Sequence, residues 1–304
     1  MTKINRVLFI GSKPFGLRCF EEMYKINPQS AIGIMTIDDR TDTRSAYDGF
    51  QEFAARVNLK ISVAKNRADS ENIIKEFAPE LCIVNGWYWL FGKETLESVA
   101  HGFIGIHNSL LPKYRGGSPL VWSMINGEPH AGLSFFSFTA GMDDGDIWAQ
   151  EAVAIDRADY ISDVLKKIEN KAISIIQIKY MRIFNGELKP RPQHETATYC
   201  ASRMPEDGLI NWQKKSNEVY NFIRAQSEPY PGAFTFLDGK KLIVWRAKSL
   251  DMTYYGSPGQ VARITEEGVY VICGDNKPIL LESVEMEGEK GKASKIIKSI
   301  KARL

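Results

Sequence analysis

Short apolar runs that alternate with amphipathic segments constrain the N-terminal part of this chain most strongly. Arg6 to Ile10 (RVLFI) is an apolar run closed by Gly11, the composition of a strand buried on both faces. LRCFEEMYKI follows at helical spacing, so Leu17, Phe20 and Met23–Tyr24 would face a sheet. Ala31 to Ile37, Lys60 to Val63, Glu80 to Val84 and Gly102 to Ile106 read as further strands. Helical patterns from Phe50 to Val57 and from Ser70 to Phe77 separate them. Such alternation of strand and helix predicts an α/β fold with a doubly wound parallel sheet. A strand over Gly132 to Phe138 and a long amphipathic helix over Ser162 to Asn185 extend this part.

NGELKPRPQ then reads as a linker, rich in proline and polar residues. Beyond about residue 200 the pattern changes. SNEVYNFIRAQ is a helix, and PYPGAFTFLDGKKLIVWRAKSL is a hairpin with Asp238-Gly239 as its turn. GQVARI, GVYVICG and KPILLESVEM are short strands bounded by turns, which predicts a smaller C-terminal β-barrel-like domain. The expected organisation is therefore a domain over 1–190 and a second over 200–304.

Composition narrows the function classes. With 25% charged residues and a net charge of +2, the chain reads as an ordinary globular protein without the basic bias of a dedicated nucleic-acid binder. The four cysteines, Cys19, Cys82, Cys200 and Cys273, show no metal-ligand spacing, so no metal site is expected. Free buried thiols fit a reducing cytoplasm. The N-terminus lacks the apolar core of a signal peptide. No stretch approaches the roughly 20 apolar residues of a membrane span. The expected location is cytoplasmic, with no membrane contact.

In doubly wound sheets, ligands bind beyond the carboxyl ends of the strands. Two loops of unusual composition fall there: NGWYWLFG after Val84, and HNSLLPKYRGGSP after Ile106. GMDDGD follows another strand end and carries Asp143, Asp144 and Asp146. Strand ends of one parallel sheet converge on one edge, which would bring His107 to one of these aspartates. A carboxylate beside an imidazole fixes its tautomer and suits proton transfer. A structural histidine and a solvated turn account for the same residues. In NGWYWLFG, glycine permits close backbone approach to a flat heterocycle, and core packing of the aromatics is the competing account. GSKPFG lacks the three-glycine dinucleotide pattern. Ser12 or Lys13 at a helix N-terminus would suit a phosphate, but an ordinary strand-to-helix turn explains them as well. The residues alone thus describe a doubly wound enzyme with a His/Asp site and one bound heterocycle, its reaction unspecified.

HNSLLPKYRGGSPLVWSMINGE followed by GLSFFSFTAGMDDGDI, with SLLPKYRG and GMDDGDI some thirty residues apart, resembles the folate-dependent formyltransferases. The likeness continues through RMPEDGLINW and IRAQSEPYPGAFTFLDGKKLIVWRA, and covers most of the chain. It implies 10-formyltetrahydrofolate as formyl donor, a primary amine as acceptor, and an Asn-His-Asp triad. His107 matches the histidine and Asp143 the aspartate. The family asparagine lies two residues before the histidine, where this chain has Gly105. Asn108 is the candidate to supply the missing amide. By the same analogy Gly86, Trp87, Tyr88 and Trp89, with Ala140, Gly141 and Met142, cradle the pterin. Lys113, Tyr114 and Arg115 line the acceptor cleft, and Ser109 and Leu110 shape its wall.

The acceptor separates the subfamilies. NGWYWLFG and PYPGAFTF look most like members that act on nucleotide-linked amino-deoxy sugars, and many of these are homodimers. A pseudaminic acid precursor, in surface polysaccharide biosynthesis, is one candidate. Arg224 and Tyr230 would then contact the nucleotide. The rival is methionyl-tRNA formyltransferase, whose phosphate-rich substrate calls for many cationic contacts; the loop after the first strand, GSKPFGLRCF, is short and the charge nearly balanced. Hydrolysis of formyltetrahydrofolate, or folate or nucleotide-sugar binding without turnover, are the remaining readings of Gly105.

Overall fold

The computed structural model describes residues 4–28 and 31–304. They form two compact units. One takes the chain up to Gly116, then Gly132–Val153 and Lys167–Tyr199. The other takes Gly117–Ala131, Ala154–Lys166 and Cys200–Leu304.

In chain order the elements are β1 (Arg6–Gly11), α1 (Pro14–Ile26), β2 (Ala31–Thr36), α2 (Tyr47–Arg56) and β3 (Ile61–Val63). Next come α3 (Arg67–Phe77), β4 (Leu81–Asn85), α4 (Lys93–Ser98), β5 (Phe103–His107), the two-residue β6 (Arg115–Gly116) and α5 (Pro119–Ile125). β7 (His130–Ser137), β8 (Ile147–Ala154) and the long α6 (Ile161–Phe184) follow. The first unit is built on a seven-stranded sheet in the order β3-β2-β1-β4-β5-β7-β8. β1 to β5 pair in parallel. Val7 to Ile10 of β1 are at most 1% exposed, so both faces of the central strand are covered, as parallel sheets require. Helix α1 starts with a proline, whose fixed φ suits a first turn. It buries Gly16, Cys19, Phe20 and Met23, one helical stripe. Asn66 caps α3 by accepting the Asp69 N–H at 2.9 Å.

One strand departs from the expected parallel sheet. β7 runs antiparallel to β5, with Ile104 opposite Ser137 and His107 opposite Ser134. The chain between β5 and β7 contains only a two-residue strand and the seven-residue α5, and no crossover helix of this unit returns it to a parallel start.

After β9 (Tyr199–Cys200), the second unit continues with α7 (Ser216–Gln226), β10 (Ala233–Leu237), β11 (Lys240–Ser249), β12 (Val261–Ile264) and β13 (Val269–Ile272). β14 (Pro278–Met286), β15 (Glu289–Lys292) and α8 (Ala293–Ile296) complete it. Its six strands run β10-β11-β14-β13-β12, with β15 on β14, all antiparallel. Asp238 and Gly239 join β10 to β11 with φ of 49° and 79°. Two positive φ values in a two-residue loop match the twist of the flanking strands. Trp212, Ile223, Val244, Val271, Leu281 and Val284 lie in a core of its own. Among the described residues no helix is long and apolar enough to cross a membrane, and no group of three or more metal-ligating side chains occurs.

Phe20 is fully buried, with ring centroids of Phe9 and Phe53 at 5.3 and 5.4 Å. Phe20→Ala should cost about 3–5 kcal/mol, read as a lower urea midpoint. An unchanged midpoint would show that this cluster does not hold the sheet to its helices.

Candidate active site

His107 ends β5. Its Nε2 lies 2.8 Å from the Tyr114 carbonyl oxygen, and its Nδ1 lies 3.7 Å from Asp143 Oδ2. The same carboxylate oxygen accepts the Gly116 N–H at 2.8 Å. The structure therefore brings His107 and Asp143 together, but not because parallel strand ends converge. β7 descends past β5, and Phe138 donates its N–H to Phe103 at the start of that strand. The loop must then travel back along β5 to deliver Asp143.

Gly105 opens that route. Phe103, Gly105 and His107 share one face of β5. A Cβ at position 105 would lie 2.0 Å from Cε1 of Phe138 and 2.9 Å from Cε1 of Phe136. The Phe138 ring fills the space over residue 105, and its loop reaches His107 two residues further along. An asparagine side chain at 105 has no room here, which gives the departure from the family pattern a steric cause. Asn108, next to the histidine, has a buried Oδ1 with no hydrogen-bond partner among the described residues. Such an orphan acceptor costs about 1–3 kcal/mol.

The residues after β4 alternate. Trp87 and Trp89 turn inward and pack on the cluster containing Leu8, Ile10, Phe91 and Phe103. Tyr88 and Leu90 face outward, 49% and 85% exposed. The aromatics are thus divided between the two accounts, core and surface. The Trp87 Nε1 is buried without a hydrogen-bond partner among the described residues. Gly86 is exposed at φ 67°, and its carbonyl accepts from the buried Ser12 hydroxyl at 2.8 Å. Ala140, Gly141 and Met142 form an exposed turn, with Met142 59% exposed. Thr139 holds this turn by accepting the Gly141 N–H at 3.1 Å and donating to Asp144.

Lys13 is engaged within the protein. Its Nζ lies 2.7 Å from Asp39 and 2.8 Å from Asp42, and it also bonds the Tyr88 hydroxyl. Ser45 donates to Asp39. Arg40 pairs with Asp38, and Arg44 with Asp42. Burial pushes the Asp39 carboxyl up, but Lys13, Ser45 and Tyr88 outweigh it and hold the group below the ordinary carboxylate range. This network was not legible in DDRTDTRS, which reads as a polar loop.

The other candidates are dispersed. Ser109 is buried and donates to Lys113 O at 2.6 Å, bracing its own loop. Lys113 is exposed. Arg115 donates to Gln193 Oε1 at 2.7 and 3.3 Å and to the Tyr199 hydroxyl at 3.4 Å. Arg224 and Tyr230 belong to the second unit. Arg224 is 5% exposed, and its guanidinium is committed to the carbonyls of Asp156 and Asp159 and to Asn221 Oδ1. Packing, the alternative to nucleotide contact, describes that environment. The Tyr230 N–H donates to Ser227 O in the turn after α7.

Two outcomes follow from these contacts. A carboxylate whose folded pKa is depressed stabilises the fold above its unfolded pKa of about 4 and loses this as pH falls through the folded value. Melting temperature should accordingly hold level from neutral pH to about 4. In Lys13→Met, Asp39 and Asp42 lose their shared cation and their folded pKa values rise, so the melting temperature should be lower at neutral pH and should fall less on acidification than in the parent; superposable profiles would contradict the network. Gly105→Ala should cost about 1–3 kcal/mol by overpacking, with part regained in Gly105→Ala/Phe138→Leu. Equal stability of the three proteins would show that the ring does not hold that space.

Residues 25–187 match the Formyl transferase family model, and residues 203–300 match the Formyl transferase, C-terminal domain model. Methionyl-tRNA formyltransferase of Syntrophus aciditrophicus is 31% identical over 301 residues, covering 95% of this chain and 94% of the relative. That of Caldanaerobacter subterraneus is 30% identical over 296 residues, covering 94% and 93%. Among solved structures, an N-formyltransferase from Helicobacter canadensis with folinic acid and dTDP-3-aminofucose superposes with a TM-score of 0.71. It is 15% identical, over 91% of this chain and 98% of that one. WlaRD, a sugar 3N-formyl transferase with dTDP and 5-N-formyl-THF, gives 0.69 at 18% identity, over 95% and 100%. The chain belongs to the formyl transferase family.

Proposed function

We propose that this protein moves a formyl group from 10-formyltetrahydrofolate to the amine of a nucleotide-linked amino-deoxy sugar. The folate supplies an activated formyl carbon. The apolar surfaces of Tyr88, Leu90 and Met142 and the exposed backbone at Gly86 would hold its ring. His107, with one nitrogen toward Asp143 and the other at the Tyr114 carbonyl, would hold or pass a proton at Nδ1 or Nε2. Asp143, fixed by the Gly116 N–H, orients that ring. Asn108, adjacent to His107, would supply the amide that position 105 lacks.

The observation that favours a small acceptor is the pairing of cations beside this site. Lys13, Arg40 and Arg44 are each taken up by Asp38, Asp39 or Asp42. A polyanion gains affinity when unpaired cations neutralise its phosphates and free its condensed counterions, and these three cations already have carboxylate partners. The names of the 30–31% identical relatives support a second reading, methionyl-tRNA as acceptor.

An acceptor screen decides between them. Tetrahydrofolate release should occur with a UDP- or dTDP-linked amino sugar and not with methionyl-tRNA. Release with the tRNA alone would overturn the proposal, and release without any acceptor would indicate hydrolysis. With the active acceptor, His107→Ala and Asp143→Ala should each lower kcat by about 10²–10³ or more; full activity in either would remove it from the site.

A further inference from the structure

The segment after α6 behaves differently from a linker. Arg191 exchanges two backbone hydrogen bonds with Ile147, just beyond the Asp143 loop, at 2.8 and 2.9 Å. Seven residues on, Thr198 meets the His107 loop. Its N–H donates to Pro112 O, its carbonyl accepts the Arg115 N–H at 2.9 Å, and its hydroxyl accepts the Tyr114 N–H at 2.9 Å. Between these anchors stands Gln193. Its Nε2 donates to the Asp143 carbonyl at 2.9 Å and to the Gly145 carbonyl at 2.7 Å. Its Oε1 accepts from Arg115 Nη2 and Nε at 2.7 and 3.3 Å. One carboxamide thus uses both N–H groups on the loop of Asp143 and its oxygen on the loop of His107.

We infer that Gln193 is a positioning residue, a clamp that sets the distance and angle between Asp143 and His107. The need for a clamp is local. Asp143 sits at φ 49°, the left-handed region that costs an L-residue about 1–2 kcal/mol, and its peptide carbonyl would otherwise turn to solvent. Only a carboxamide serves. A carboxylate of the same shape still pairs with Arg115, but it has no N–H groups for the two carbonyls. Gln193 need not touch substrate; it acts through Asp143. The inference rests on the reading of His107 and Asp143 as the site.

The test does not require the acceptor to be known. The chain has four histidines, and the ring-nitrogen resonances of His107 can be assigned in labelled protein by their loss in His107→Ala. In Gln193→Ala and the isosteric Gln193→Glu, these resonances should move in the same direction as in Asp143→Ala, with those of the distant His101 and His130 unmoved. With the acceptor found by screening, kcat should fall about 10–10²-fold, the order expected when reacting groups are displaced by about an ångström, while KM for 10-formyltetrahydrofolate stays within about twofold. Loss in Gln193→Glu should lessen at lower pH, where its carboxyl gains a proton to donate. Resonances and kcat unchanged in both Gln193 variants, with Asp143→Ala shifted and inactive, would overturn the inference alone. Resonances unmoved in Asp143→Ala would overturn the His107–Asp143 reading, and the clamp with it.

Discussion

The site depends on the close approach of the Phe138 ring to the bare Cα of Gly105. A Cβ there would meet the ring at 2.0 Å, so glycine is a condition of this path and not a tolerance. Without the approach, the loop that leaves β7 at the wrong end of β5 could not lie along that strand. Asp143 would then have no route to His107. The ring is held in turn by Phe103, stacked at 6.3 Å, and by Phe136 at 5.3 Å, whose own edge contacts His107. Aromatic contacts therefore run from the core beneath the β4 loop to the imidazole.

Magnitudes separate the parts that hold the site from those that decorate it. Buried aromatic rings carry large areas out of water, with about 0.5–1.5 kcal/mol more for a well-placed pair. Exposed ion pairs contribute about 0–1 kcal/mol, so Arg40–Asp38 matters little to stability. The Lys13 cluster differs because Asp39 is mostly buried and would otherwise lack a counter-charge. Its effect is to tie the loop after β2 to Tyr88.

Local chemistry was legible wherever neighbouring residues decide it. Val7 to Ile10 are apolar without interruption, and the strand they form is covered on both faces. Asp238-Gly239 marks a turn because few other pairs accept two positive φ values. Arg224 was harder, since a buried guanidinium and a phosphate-binding one look alike in sequence. Its two carbonyl partners lie more than sixty residues away. Gln193 was missed for the same reason. In KPRPQ nothing marks a residue whose partners are Asp143, Gly145 and Arg115, 48 to 78 positions distant.

The amino-acid order by itself determined the alternation of strands and helices, the change to short antiparallel strands beyond residue 200, and the family motifs around His107 and Asp143. Periodicity and turn chemistry act over a few residues, so a chain read alone can express them. The tertiary structure alone decided the direction of β7, the inward turn of Trp87 and Trp89, the Lys13 network and the steric meaning of Gly105. Each depends on which distant segment arrives at a given surface, and excluded volume and buried hydrogen bonding choose that only when the whole chain is assembled.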